Sequence, residues 1–152
     1  MTTTARPVDG RAIGLAHFAS RAVLEHVLAR HGATFAQQAT LRAAVVADGP
    51  LERDALIAQV AGSLKSDTAS VRVIVGELLD RGLLAAEGPR VRATDAGREL
   101  FALVGAETGE ISARMYAGIP AEDLAVAGRV LALVTERADA ELASFGAERP
   151  AV

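Results

Sequence analysis

The chain has 152 residues, a net charge of −3 and no cysteine, and 51% of its residues are hydrophobic. The missing cysteines exclude disulfide bonds, thiolate metal sites and cysteine nucleophiles, and the negative charge argues against a protein that coats nucleic acid without sequence preference. Because no apolar run reaches the roughly 18 residues of a membrane span and the amino terminus lacks the apolar segment of a signal peptide, we expect a cytoplasmic protein with no membrane partner.

The chain up to residue 50 predicts an arm followed by two helices. Residues 1–10 carry Thr, Pro and Gly and are expected to form a flexible arm. Apolar residues at helical spacing predict a first helix over 11–30, and a second runs from Thr34, a candidate N-cap, to Ala47. Three phenylalanines are expected to lie in the core: Phe18, Phe35 and Phe101.

A helix, a hairpin and another helix follow within a short span. A third helix begins after Leu51, and a fourth covers residues 67–81 with five apolar residues at a spacing of three and four for inward packing: Val71, Ile74, Val75, Leu78 and Leu79. Leu83–Ala86 and Arg90–Ala93 read as two strands around a tip at Glu87-Gly88-Pro89. This order predicts a winged helix-turn-helix core over 34–94, a motif that commonly places one helix in the DNA major groove.

Two long helices complete the predicted fold. Thr94-Asp95 caps a fifth helix that runs to about Ala117, and a sixth extends from Ala121 to about Ser144. The sixth helix is expected to turn six residues inward: Leu124, Val130, Leu131, Val134, Ala138 and Leu142. The fold class is therefore mainly α with a small β-hairpin wing. Because a compact core does not need such long flanking helices, we expect residues 11–33 and 95–146 to form a dimerisation region of a homodimer, with a monomeric six-helix bundle as the alternative.

Several short motifs resemble the MarR family of transcriptional regulators over nearly the whole chain. Gly49-Pro50-Leu51 followed by Leu56 resembles the entry to that family's third helix, and Leu78–Leu83 (LLDRGL) matches its L-x-x-R-G-L signature. Thr94–Arg98 (TDAGR) and Gly118–Leu124 (GIPAEDL) resemble two later segments. The resemblance implies a homodimeric repressor or activator that binds a DNA palindrome, with a small aromatic effector bound between the dimerisation helices and the winged core.

The sequence departs from the family in the segment that would read DNA. The wing is short, and Glu87-Gly88-Pro89-Arg90 stands where an acidic and arginine-containing tip is usual. The recognition helix has Val73 and Glu77 where basic residues are common. Between Lys65 and Arg98 there are six basic and five acidic residues, a net charge of +1. These features favour the alternative of a winged-helix dimerisation or protein-interaction module that does not read DNA.

Candidate DNA-binding residues lie on the predicted fourth helix and the wing. Arginine suits both guanine edges and phosphates, a helix N-terminus with serine and threonine suits phosphates, and an arginine in a wing can enter the minor groove. Arg90 and Arg92 alternate along one strand and so share a face. The plainer interpretation is a solvated surface with helix caps. The predicted set is Lys65, Ser66, Thr68, Ser70, Arg72, Val73, Arg90 and Arg92.

Three further residues are candidates for contact with an effector: His17, His26 and Tyr116. His17 and His26 are nine residues apart, two and a half helical turns, so they lie on opposite faces of the first helix and cannot share a metal within one subunit. We expect no metal and no cofactor. No phosphate loop, metalloprotease motif or nucleophile triad is recognisable, so the sequence does not predict an enzyme.

Overall fold

The structure contains six helices and three short strands among the residues that it describes. A computed structural model describes residues 6–147. Within them the elements are, in order, α1 (Gly10–Arg30), α2 (Phe35–Val46), β1 (Leu51–Glu52), α3 (Arg53–Leu64), α4 (Thr68–Asp80), β2 (Leu84–Glu87), β3 (Arg90–Ala93), α5 (Asp95–Tyr116) and α6 (Ala121–Ala147). The predicted fold class, mainly α with a small β wing, is confirmed.

Caps explain where α1 and α2 begin. Asp9 accepts a hydrogen bond from the Ala12 amide at 2.8 Å, so α1 begins inside the segment predicted as an arm. Residues 1–5 of that arm lie outside the described part of the chain. Thr34 and Gln37 form a reciprocal capping box at the start of α2, with both bonds at 3.2 Å. Such caps supply acceptors to amides that the helix itself leaves unpaired.

The sheet contains a third strand, β1, in addition to the two strands of the predicted hairpin. The sheet is antiparallel with the order β1-β3-β2, and the two-residue strand β1 pairs Leu51 with Val91. The predicted start of β2 at Leu83 was one residue early. The Leu83 amide instead donates to the Leu78 carbonyl at 2.9 Å and so closes the end of α4.

The described residues up to Ile111 form one compact unit with two clusters of buried apolar side chains. The larger cluster joins α2, α3, α4 and the sheet, and includes Leu56, Leu78 and Val91, each at most 1% exposed. The smaller cluster joins α1 to α5 through Val27, Leu28 and Val104. Phe35 and Phe101 are half-buried beside these clusters, but the prediction for Phe18 was wrong, because its side chain is 67% exposed.

The residues from Ser112 onward form a second unit that contains the end of α5 and α6. No side chain that the structure describes between Ser112 and Gly146 is buried. The inward orientation predicted for the α6 residues is therefore not seen in one copy of the chain: Leu124 is half-buried, and Val130, Leu131, Val134, Ala138 and Leu142 are exposed.

Candidate nucleic-acid interface

The helix α4 follows α3 after a sharp turn that leaves its outer face open. Lys65 adopts a left-handed backbone conformation (φ 53°) at the end of α3, and the Ser66 amide donates to the Ala61 carbonyl at 3.0 Å. Val71, Val75 and Leu78 point into the core. The opposite face of α4 is exposed along its first two turns, including Thr68, Ser70, Arg72 and Val73.

Asp67 fixes the amino-terminal end of α4. Its carboxylate accepts hydrogen bonds from the Ser70 hydroxyl and the Ser70 amide, both at 2.7 Å. These bonds, the one from the hydroxyl first, hold the pKa of Asp67 below its ordinary value. Ser70, predicted to donate to a phosphate, thus already donates to Asp67, so its hydroxyl serves the cap in the free protein.

The carboxyl-terminal half of α4 is joined to the start of α2 by a polar network. Gln37, which is buried, donates from Nε2 to Glu77 at 2.8 Å and accepts from Arg81 at 2.9 Å. Glu77 was noted in the sequence because a basic residue is common at its position. The structure gives its carboxylate a hydrogen-bond partner on α2, so Glu77 links α4 to α2.

The wing presents its two arginines on one face. Arg90 and Arg92 are exposed on β3, and the residues that follow each of them, Val91 and Ala93, are buried. The predicted alternation is therefore confirmed. The Arg53 amide donates to the Pro89 carbonyl at 3.0 Å and ties the hairpin tip to the start of α3.

Each of the three candidate arginines has an acidic partner that the sequence reasoning missed. The ion pairs are Arg72 with Asp54 at 3.4 Å, Arg90 with Glu52 at 3.0 Å, and Arg92 with Glu87. Glu52 and Arg90 are direct cross-strand partners in the β1–β3 register. Because the short strand β1 was not predicted, the sequence offered no signal for that pairing.

A separate cavity lies in the first unit between α1, α2 and α3. Its volume is about 540 Å³. Leu24, Phe35 and Val60 contribute to an apolar lining, and Arg42 and Gln38 provide polar groups. The Gln38 Oε1 atom is buried and accepts no hydrogen bond, and Arg42 has no ion pair or hydrogen bond within the part of the chain that the structure describes.

Of the residues predicted to contact an effector, His17 and His26 do not line this cavity. His17 and His26 are exposed on α1, with His17 beside Phe18 at a ring-centroid distance of 5.7 Å. Tyr116 is 52% exposed near the end of α5. Their role stays a prediction. The cavity itself has no clear sequence signature, because Arg42 and Gln38 are ordinary polar residues on a predicted helix.

Comparison with known proteins supports the fold. No protein-family model and no curated protein matches the chain. Among solved structures, a MarR protein from Peptoclostridium difficile matches with a TM-score of 0.75 and 14% identity, over 95% of this chain and 96% of that one. The reduced form of MarR from E. coli matches with a TM-score of 0.67 and 16% identity, over 88% and 97%.

A third similar structure carries a ligand. CouR from Rhodococcus jostii RHA1 bound to p-coumaroyl-CoA matches with a TM-score of 0.68 and 20% identity, over 78% of this chain and 85% of that one. At these identities the similarity establishes the fold. The chain has the winged helix-turn-helix fold of MarR-family regulators, as the sequence motifs predicted. Within residues 6–147, no helix is both long and apolar enough to cross a bilayer.

Proposed function

We propose that this protein is a MarR-family transcriptional regulator that binds a DNA palindrome as a homodimer and responds to a small molecule. One observation carries the proposal: the outer face of α4 is uncovered beside a wing that presents two arginines in the same direction along β3. A helix of this kind reads base edges in the major groove, and a wing arginine suits the minor groove. In a dimer the two copies of α4 would need to lie about 34 Å apart to reach successive major grooves.

The candidate contacts follow from what each side chain exposes. Arg72 is suited to a guanine edge or a phosphate. Thr68 and Ser66 lie at the amino-terminal end of α4, where free amides and the helix dipole favour a phosphate. Lys65 precedes that end. Val73, which is 62% exposed, is suited to the methyl group of thymine.

Arg72→Ala tests the DNA contact. Genomic fragments selected by the wild-type protein would be titrated by fluorescence anisotropy at several salt concentrations. We expect the variant to bind the selected fragment about tenfold more weakly, since a good arginine contact to a base is worth roughly 1–3 kcal/mol. Circular dichroism would check that the fold is unchanged.

Arg98→Ala is the matched control. Arg98 has a carboxylate partner at the same 3.4 Å, in Asp48, but lies on α5 outside α4 and the wing. Equal affinities for wild type and Arg72→Ala would remove Arg72 from the interface. A wild-type protein that selects no fragment at any salt concentration would favour the alternative, a winged-helix interaction module that does not read DNA.

The cavity between α1, α2 and α3 supports a site for the effector. Its volume lies in the range of small-molecule sites, and an apolar lining with a few polar groups is typical of them. Arg42, which has no ion pair or hydrogen bond among residues 6–147, favours an aromatic molecule that carries an acidic group. Such a ligand would change DNA affinity only if it binds differently to the DNA-competent and incompetent arrangements of the dimer.

Benzoate and the neutral benzamide are matched probes for this site. At ten times its dissociation constant, benzoate should stabilise the protein by about 1.4 kcal/mol through binding linkage, and Arg42→Gln should abolish most of that effect. Thermal unfolding would measure it. Equal shifts from benzoate and benzamide, or an undiminished shift in Arg42→Gln, would exclude Arg42 as the anion-binding group.

A further inference from the structure

The three arginines proposed to bind DNA all form ion pairs with carboxylates of the same chain. Arg72 and Arg90 both pair with acids of the β1–α3 junction, Asp54 and Glu52. These two acids flank Arg53, whose backbone amide is tied to the hairpin tip. One short segment therefore supplies a carboxylate to the recognition helix and another to the wing. Glu87 of β2 supplies the third, to Arg92.

These ion pairs do little for the stability of the fold. All six side chains are at least 44% exposed, and exposed pairs of this kind contribute little because water solvates both charges in either state. Their consequence for DNA is larger, because a carboxylate and a phosphate oxygen compete for the same guanidinium. A phosphate that approaches Arg90 must displace Glu52 and remain near its charge.

We propose that Glu52, Asp54 and Glu87 act as internal counterions that keep sequence-independent DNA binding weak. Sequence-independent binding comes almost entirely from phosphate contacts and from the cations that the duplex releases. When one of these arginines exchanges its carboxylate for a phosphate, the freed carboxylate gathers cations from solution and offsets that release. The protein then depends on base contacts for its remaining affinity. This inference rests on the proposed function in DNA binding.

The test is a triple variant, Glu52→Gln, Asp54→Asn and Glu87→Gln, which keeps side-chain size and hydrogen-bonding capacity. Binding to a labelled 30-base-pair duplex of arbitrary sequence would be measured between about 50 and 200 mM salt. We expect at least tenfold tighter binding at the lowest salt. The dependence of log affinity on log salt should steepen by about 0.9 for each arginine released to a phosphate, hence by up to about three for each subunit.

A second triple variant separates pairing from net charge. Glu99→Gln, Glu110→Gln and Glu136→Gln remove the same charge from exposed residues that lie outside α4 and the wing and have no ion pair within the described part of the chain. We expect less than a threefold change in affinity and an unchanged salt dependence. Equal gains in the two variants would overturn the proposal, as would an unchanged affinity in the first variant.

The same measurements distinguish a failure of the counterion role from a failure of the proposed DNA binding. If the wild type binds a selected genomic fragment but the first triple variant gains nothing on the arbitrary duplex, the counterion role alone is wrong. If neither the wild type nor either variant binds any duplex at low salt, DNA binding itself is wrong and the counterion role falls with it. Circular dichroism and thermal unfolding would establish that both variants fold.

Discussion

The winged core and α6 are both rich in apolar side chains, but they differ in where those side chains lie. In the core, Leu56, Leu78 and Val91 are at most 1% exposed and belong to one buried cluster that joins several elements. In α6, Leu131 is 44% exposed and Leu142 is 53% exposed. One copy of the chain thus completes the core, whereas the apolar side chains of α6 stay in contact with water.

The difference in burial indicates that the core is complete within one copy of the chain, whereas α6 lacks a surface that covers its apolar side chains. Burial of a leucine side chain is worth about 1.5–3 kcal/mol, so a helix of 27 residues that leaves its apolar stripe exposed forgoes a large stabilisation. Extended apolar patches on a soluble protein usually mark an interaction surface. A second copy of the chain is the occupant that the proposed function requires. The core is expected to respond to mutations through folding, and α6 through assembly.

Gly97→Ala should produce the largest effect, and it should act on the core. A Cβ atom at Gly97 would lie 2.2 Å from the Leu83 carbonyl oxygen and 3.1 Å from Leu41 Cδ1. Because a backbone atom cannot swing aside like a side chain, α5 or the β2 entry must shift. We expect the free energy of unfolding to fall by about 3 kcal/mol, as for severe overpacking, in urea denaturation followed by circular dichroism.

Gly105→Ala is the control on the same helix. A Cβ atom there meets nothing within 4 Å, so the substitution should stabilise α5 by about 0.5–1 kcal/mol through helix propensity. A loss of stability at Gly105 comparable to that at Gly97 would mean that α5 tolerates no added methyl group anywhere. The close approach at Leu83 would then not be the cause.

Local signals in the sequence predicted most of the fold. Thr34 caps α2 because a short polar side chain can reach the free amides, and this requires no knowledge of distant residues. The spacing of Val71, Val75 and Leu78 likewise indicates which face of α4 is buried. The order of the elements and the LLDRGL and TDAGR motifs then sufficed for the winged helix-turn-helix.

The missed features depend on residues that are distant in sequence. Strand β1 has two residues, too few for a periodic pattern, and it exists because it pairs with β3. The acidic partners of Arg72 and Arg90 follow from that register and from the close approach of α3 to α4. The prediction for Phe18 fails for the same reason: burial depends on a packing partner elsewhere in the chain, and this side chain is 67% exposed among the described residues.

Ala138→Glu tests whether a second copy covers α6. Ala138 lies one turn from Val134 and Leu142 on the same face, so in the proposed dimer the new carboxylate enters an apolar contact, twice by symmetry. We expect the dissociation constant of the dimer to rise at least about 100-fold, or about 2.8 kcal/mol, in sedimentation velocity.

Ala140→Glu is the matched control, because two residues along a helix correspond to about 200° of rotation, which places it beside Glu136 on the opposite face. Glutamate is among the better helix-forming residues, so both variants should keep α6 helical. A dimer that survives Ala138→Glu, or one that dissociates equally with Ala140→Glu, would show that this stripe is not the interface, and the contrast between a self-contained core and an incomplete α6 would need another occupant.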